Sequence, residues 1–183
     1  MAVVSEIETE RLILRAWRDA DLAPFAAMNA NPRVCEFFPA TLSREESDAI
    51  VARVRDHFDA YGYGLYAVEA KEGGAFIGFT GFNIPRFDAP FMPAVEIGWR
   101  LSDAHWGRGY ATEAATAVLR HDTARLGGAD IVSFPVPDNV RSRRVMEKIG
   151  LRRDPAGDFD HPGVPAGHPL KRHVLYRPSC DVS

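Results

Sequence analysis

Residues 11–17, RLILRAW, alternate apolar and polar positions around a strongly apolar centre and predict a strand. Asp19 and Asp21 then lead into LAPFAAMNA, a short predicted helix with acidic residues at its start, closed by Asn29, Asn31 and Pro32. Ser43 with Glu46 three residues on forms a capping box. The helix it opens carries Ile50, Val54 and Phe58 at helical spacing and stops near Gly62. Three strand-like runs follow: residues 64–71 (GLYAVEAK), 75–84 (AFIGFTGFNI) and 93–101 (PAVEIGWRL), the first two joined by a turn at Gly73-Gly74. Between the last two, PRFDAPFMP is too irregular for a core segment and is expected to overhang a cleft.

A long helical run occupies residues 111–126 and is stopped by Gly127-Gly128. Residues 130–136 predict a strand, and Asp138-Asn139 start a further helix, VRSRRVMEKIG, ended by Gly150. The remaining stretch, rich in Pro and Gly, reads mostly as loop until residues 172–177 resume a strand pattern. The order is strand, two helices, three strands, helix, strand, helix, strand. It implies an α+β fold with a mixed sheet, and neither a TIM barrel nor a doubly wound sheet.

A length of 183 residues suits one domain, residues 1–183. The formal net charge of −3 argues against a general nucleic-acid binder, though not against a local basic patch. Cys35 and Cys180 lie too far apart in sequence to suggest a disulfide framework or a zinc site, and read as free thiols in a reducing compartment. The first residues lack the basic and apolar regions of a signal peptide, and no stretch is long and apolar enough to cross a membrane. A soluble cytoplasmic protein, monomer or homodimer, without nucleic-acid or membrane partners, is the expectation.

Candidate chemistry enters at HWGRGYATEA, residues 105–114. Gly107 and Gly109 stand immediately before the long helix, where unpaired N–H groups and the helix dipole favour an anion. The plainer alternative is a loop that uses glycine for turn geometry. A P-loop is excluded, because Tyr110-Ala111 follow Gly109 in place of Lys-Ser/Thr. A dinucleotide fingerprint lacks its third glycine and its early position in the chain. Such a turn can hold a pyrophosphate by backbone N–H groups alone, with no metal clamp, and coenzyme A carries such a group; the plain loop stays open.

WGRGYATEA resembles the acetyl-CoA loop of the GNAT acetyltransferase superfamily. NVRSRRVMEKIGL, residues 139–151, is similar to that superfamily's next motif: an Asn, a small residue three later, then Glu-Lys-x-Gly. The opening ETERLILRAWRDADL resembles the RimJ/RimL-type branch, which includes ribosomal-protein N-terminal acetyltransferases. The segments occur in family order over nearly the whole chain. The resemblance implies a GNAT-like mixed, mostly antiparallel sheet flanked by helices. It also implies acetyl-CoA as co-substrate, no metal, and an amine acceptor, either a small molecule, a lysine or a protein N-terminus.

By that resemblance, Gly107 leads into a cradle formed by Arg108, Gly109, Tyr110, Ala111 and Thr112. The strand before it pairs with pantetheine through backbone groups of Ile97, Trp99 and Leu101. Trp106 replaces the family's usual Gln or Arg. Asn139 either contacts the pantetheine arm or caps a helix, or does both.

Transfer of acetyl to an amine needs a base for the ammonium, a donor for the oxyanion and, less urgently, a proton for the leaving thiolate. Glu96, a charge within the apolar strand AVEIGWRL, is the candidate base; the alternative is a glutamate on a solvent-facing side. The family's usual acid, a Tyr four residues beyond the small residue, is Met146 here. Ser142 is the substitute the branch suggests, its alternative being a packed polar residue; Tyr110 and Tyr176 are further candidates. Phe37, Phe38, Asn83 and the loop bearing His161 and His168 are expected at the acceptor pocket, and His173 as a packed strand residue. Met146 also leaves open a non-catalytic acyl-CoA-binding sensor or interaction module.

Overall fold

The computed structural model describes residues 4–178. Ile7–Glu8 (β1) and Leu12–Arg15 (β2) pair antiparallel. Leu12 and Leu14 are fully buried, as their alternation requires. Arg15 is buried too, because Asp21 receives its guanidinium on both oxygens (2.7 and 2.9 Å) and Glu69 receives its Nε (2.7 Å). Asp21 is therefore committed to a buried ion pair just ahead of helix α1, Leu22–Asn29.

Helix α2, Arg44–Tyr61, starts on the capping box: the Ser43 hydroxyl accepts the Glu46 N–H (3.1 Å), and the Glu46 carboxylate accepts the Ser43 N–H (2.7 Å). It ends at Gly62 in the left-handed region (φ 74°). Leu65–Ala70 (β3), Phe76–Asn83 (β4) and Val95–Leu101 (β5) continue the antiparallel sheet. Helix α3, Tyr110–Asp122, crosses to Ile131–Val132 (β6), which lies parallel to β5. The six strands run in chain order, with α3 packed on β4 and β5 and α1 on α2 and β4. The result is a mixed, mostly antiparallel sheet flanked by four α-helices.

After helix α4, Val140–Lys148, the chain departs from the sequence expectation. Residues 151–160 read as loop, yet Leu151–Asp160 is a strand (β7) paired antiparallel with Arg172–Pro178 (β8). The pattern hid it for a physical reason. Only Leu151 and Phe159 are buried along β7, and the DPAG segment makes a register shift between Asp154 and Phe159. The hairpin is held by remote partners: Arg177 pairs with Asp154, and Phe159 and Leu175 join a small apolar cluster with Phe91, Ala94 and Val132. Cys35 is buried, its thiol donating to the Asn29 carbonyl (3.1 Å). Cys180 lies outside the described residues.

Candidate active site

Strands β5 and β6 pair only at Val95–Ile131 and Glu96–Val132, then part. The sequence SFPVP explains why. The Ser133 hydroxyl donates to the Ile97 carbonyl (2.8 Å), closing the last paired position. Pro135 has no N–H to offer β5. The chain turns instead to β8, where Ser133 and Tyr176 exchange backbone bonds of 3.0 and 2.8 Å and Val174 donates to the Pro135 carbonyl (2.9 Å). Val95 N–H bonds Asp130 across the β6 side, so alternation turns the backbone groups of Ile97, Trp99 and Leu101 to the same side. The Ile97 carbonyl is taken by Ser133, and the Leu101 carbonyl by the Trp106 indole N–H (2.9 Å). The N–H and C=O of Trp99 are left facing the opening.

The opening leads into a cavity of about 900 Å³. Trp99, Leu101, Gly107, Gly109, Tyr110, Ala111 and Thr112 line it; Ile97 and Arg108 do not. Ile97 is a fully buried core residue, and the Arg108 side chain is exposed. Gly107 and Gly109 adopt φ of 75° and 81°, a region other residues reach only at a cost. Glu113 N–H bonds the Gly109 carbonyl (3.0 Å), the first bond of α3. The amides of Tyr110, Ala111 and Thr112 precede it and have no partner within the helix. Trp106 is also covered by the Arg141 guanidinium, 4.4 Å above its ring.

Across the opening, Asn139 caps α4 by accepting the Ser142 N–H on Oδ1 (3.1 Å), and Asn139, Ser142 and the buried Met146 line the cavity. Tyr176 stands away from the wall. Its hydroxyl accepts from Arg143 Nε (2.9 Å) and lies 3.3 Å from Glu147.

Glu96 lines the cavity as the sole carboxylate among the described residues of its wall, and burial pushes its pKa up to about 7. The same wall carries Arg53, Arg86, Arg100, Arg141, Arg144 and Lys148. Sequence reading missed these cations because they are scattered over two helices, a strand and a loop. Arg141, Arg144 and Lys148, spaced by three and four residues, share one face of α4 and could have signalled it. Burial lowers the pKa of Arg100, which donates to Asn29 Oδ1 (2.7 Å) and lies over Phe38 (4.0 Å).

Phe37, Phe38, Asn83, His161 and His173 line the cavity, as do Pro85 and Phe87 of the proline-rich loop. His161 packs on Phe87 and His173, at ring separations of 4.5 and 5.0 Å, and burial holds both imidazoles below their usual pKa. His168 is absent from the wall; its Nδ1 accepts the Leu170 N–H within a turn (3.1 Å). Among the described residues no three His, Cys, Asp or Glu side chains are placed to share a metal ion, and no helix is long and apolar enough to cross a membrane.

Residues 11–152 match a family model described as Acetyltransferase (GNAT) domain. YkkB of Bacillus subtilis is 30% identical over 152 residues, covering 82% of this chain and 87% of that protein. A GNAT-family acetyltransferase structure from Bordetella pertussis superposes with a TM-score of 0.78 at 26% identity, over 96% of this chain and 99% of the other. RimL, a ribosomal L7/L12 α-N-protein acetyltransferase solved with coenzyme A, shares the fold at a TM-score of 0.73 and 19% identity, over 94% and 96% of the two chains.

Proposed function

This chain belongs to the GNAT acetyltransferases and is an acetyl-CoA-dependent N-acetyltransferase, and from that premise we propose that it is of the RimJ/RimL-like branch and moves acetyl directly to a primary amine, of a small molecule, a lysine or a protein N-terminus, with Glu96 as base. The residues present suit the co-substrate. Three unpaired amides at the start of α3, two glycines already at positive φ and the cations Arg144 and Lys148 match a pyrophosphate. The free N–H and C=O of Trp99 and the amide of Asn139 suit the pantetheine arm.

Acetyl-CoA supplies an acetyl group already activated as a thioester. Glu96 removes a proton from the acceptor ammonium, directly or through one water, leaving the amine lone pair available. At a pKa of about 7 the carboxylate is half ionised at neutral pH and still basic enough to hold the proton. Ser142 offers a hydroxyl on the α4 side, where the departing sulfur needs at most modest help; Met146 offers none. No cysteine stands in the cavity wall among the described residues, which accords with transfer in a ternary complex.

The observation carrying this reading is Glu96 as the lone carboxylate among the described residues of a cationic cavity, at the opposite end of β5 from the amide cradle. Glu96→Gln keeps shape and removes basicity. We expect turnover to fall by about 10²–10⁴-fold with acetyl-CoA affinity retained. The deficit should shrink at high pH, where free amine is abundant, and Ser142→Ala should cost less. Steady-state kinetics from pH 6 to 10 on a true acceptor measure this. Equal turnover by Glu96→Gln across that range would make Glu96 a structural residue.

A further inference from the structure

The proposed coenzyme site uses Arg144 and Lys148, Arg141 pairs with Glu36 (2.6 Å), and another group of cations is left unused. Arg53 on α2 and Arg86, three residues beyond Asn83, both line the cavity. Among the described residues neither forms an ion pair, whereas Arg44 and Arg55 of the same helix bind Asp48 and Asp19, each at 2.8 Å. His57 follows Arg53 by one helical turn and so lies on the same face. It also lines the cavity, and its Nε2 is buried without a partner. Arg86 is near enough to add to burial in lowering the His57 pKa.

The position of this group separates it from the phosphate cradle. Asn83 pairs in register with Glu96, and three residues carry the chain no more than about 11 Å to Arg86. The cradle instead follows Leu101, five residues and about 17 Å along β5 from Glu96. Two guanidinium groups and an orphaned imidazole nitrogen thus gather at the acceptor end, and Glu96 is the one carboxylate among the described residues of the cavity wall. Guanidinium forks match the oxygens of carboxylates and phosphates.

We infer that the acceptor is an amine that also carries an anionic group, a carboxylate or a phosphate, seated on Arg53 and Arg86 with His57 beside them and its amine turned to Glu96. This rests on the transferase reading above.

The test uses the full chain, saturating acetyl-CoA and amines in matched pairs. One pair is an α-amino acid and its carboxamide; the other is an aminoalkyl phosphate and its amino alcohol. Rates are referred to free-amine concentration. The anionic member of at least one pair should have a kcat/KM higher by about tenfold or more, and the pair showing it identifies carboxylate or phosphate. Arg53→Gln and Arg86→Gln, both at exposed positions, should each raise KM for that amine by about tenfold while the acetyl-CoA KM holds. Equal or better use of both neutral amines, or an anion preference that survives both substitutions, overturns the inference and leaves the transferase reading standing. If no amine of either kind is acetylated by protein whose melting temperature acetyl-CoA still raises, both readings fall.

Discussion

Glu96 is held in a state that folding disfavours. Burial lifts its carboxyl from 4.5 to about 7, so the folded chain keeps the proton more tightly than the unfolded chain does. Stability is therefore intact below about pH 4.5 and declines as pH rises toward 7, with an upper limit near 3 kcal/mol for the full loss. Glu96→Gln removes that dependence. In thermal unfolding without ligand, the variant should match the parent near pH 4.5 and exceed it in melting temperature at pH 8. A constant difference between the two across this range would show that Glu96 is not strained by burial. Arg100 raises the same issue in the opposite sense: burial makes its charge costly, and Asn29 and the Phe38 ring offset part of that cost.

At the scale of elements, the start of α3 is tied to the first hairpin by the side chains of Arg11 and Thr9. Arg11 donates from Nε to Glu113 (2.7 Å) and from Nη1 to the Arg108 carbonyl (2.9 Å), and lies over the Tyr110 ring (4.7 Å). Thr9 adds a bond to the same Glu113 carboxylate (2.6 Å). A planar fork with several fixed donors can hold loop and helix together; an ammonium cannot span the same partners. If the amides at the start of α3 hold the coenzyme as proposed, Arg11 is a positioning residue for them. Arg11→Met should raise the acetyl-CoA KM by about tenfold while changing kcat much less, and Arg11→Lys should recover only part of the loss. The kinetic split distinguishes positioning from general destabilisation, which would lower active protein without moving KM. Unchanged kinetic constants in Arg11→Met would remove that role.

In the whole molecule, charge is sorted rather than balanced. The chain is net negative at −3, yet among the described residues the cavity wall holds six cations and one carboxylate. The cavity also lies where β5 parts from the unit formed by β6, α4 and β8, so a ligand seated there touches both sides of the split sheet. Acetyl-CoA at a hundred times its dissociation constant should add about 2.7 kcal/mol of stability, or about 5–10 °C in melting temperature for a chain of this size. The shift should be the same with and without EDTA. A scan in which ATP or NAD raised the melting temperature and acetyl-CoA did not would remove the coenzyme assignment.

What the sequence determined by itself was local. The Ser43–Glu46 box, the stop at Gly62, the glycines before α3 and the Asn139 cap were legible because each is completed within a few residues. The alternation of RLILRAW placed Leu12 and Leu14 in the core for the same reason. Tertiary structure decided what depends on residues far apart in the chain. Strand β7 exists through its pairing with β8, more than ten residues away, and its own composition gives little period to detect. Glu96 sits in a strand whose inward face is chosen by β4 and β6, so its direction could not be read from AVEIGWRL. The gap beside Trp99 needs Ser133 and Tyr176 to draw the next strand away. The cationic wall gathers residues from α2, β5, α4 and the loop after β4, and only those of α4 stand close together in the sequence. Caps and turns are fixed by interactions within reach of a few bonds, whereas a cavity is a relation between elements, and only the packed chain brings those elements together.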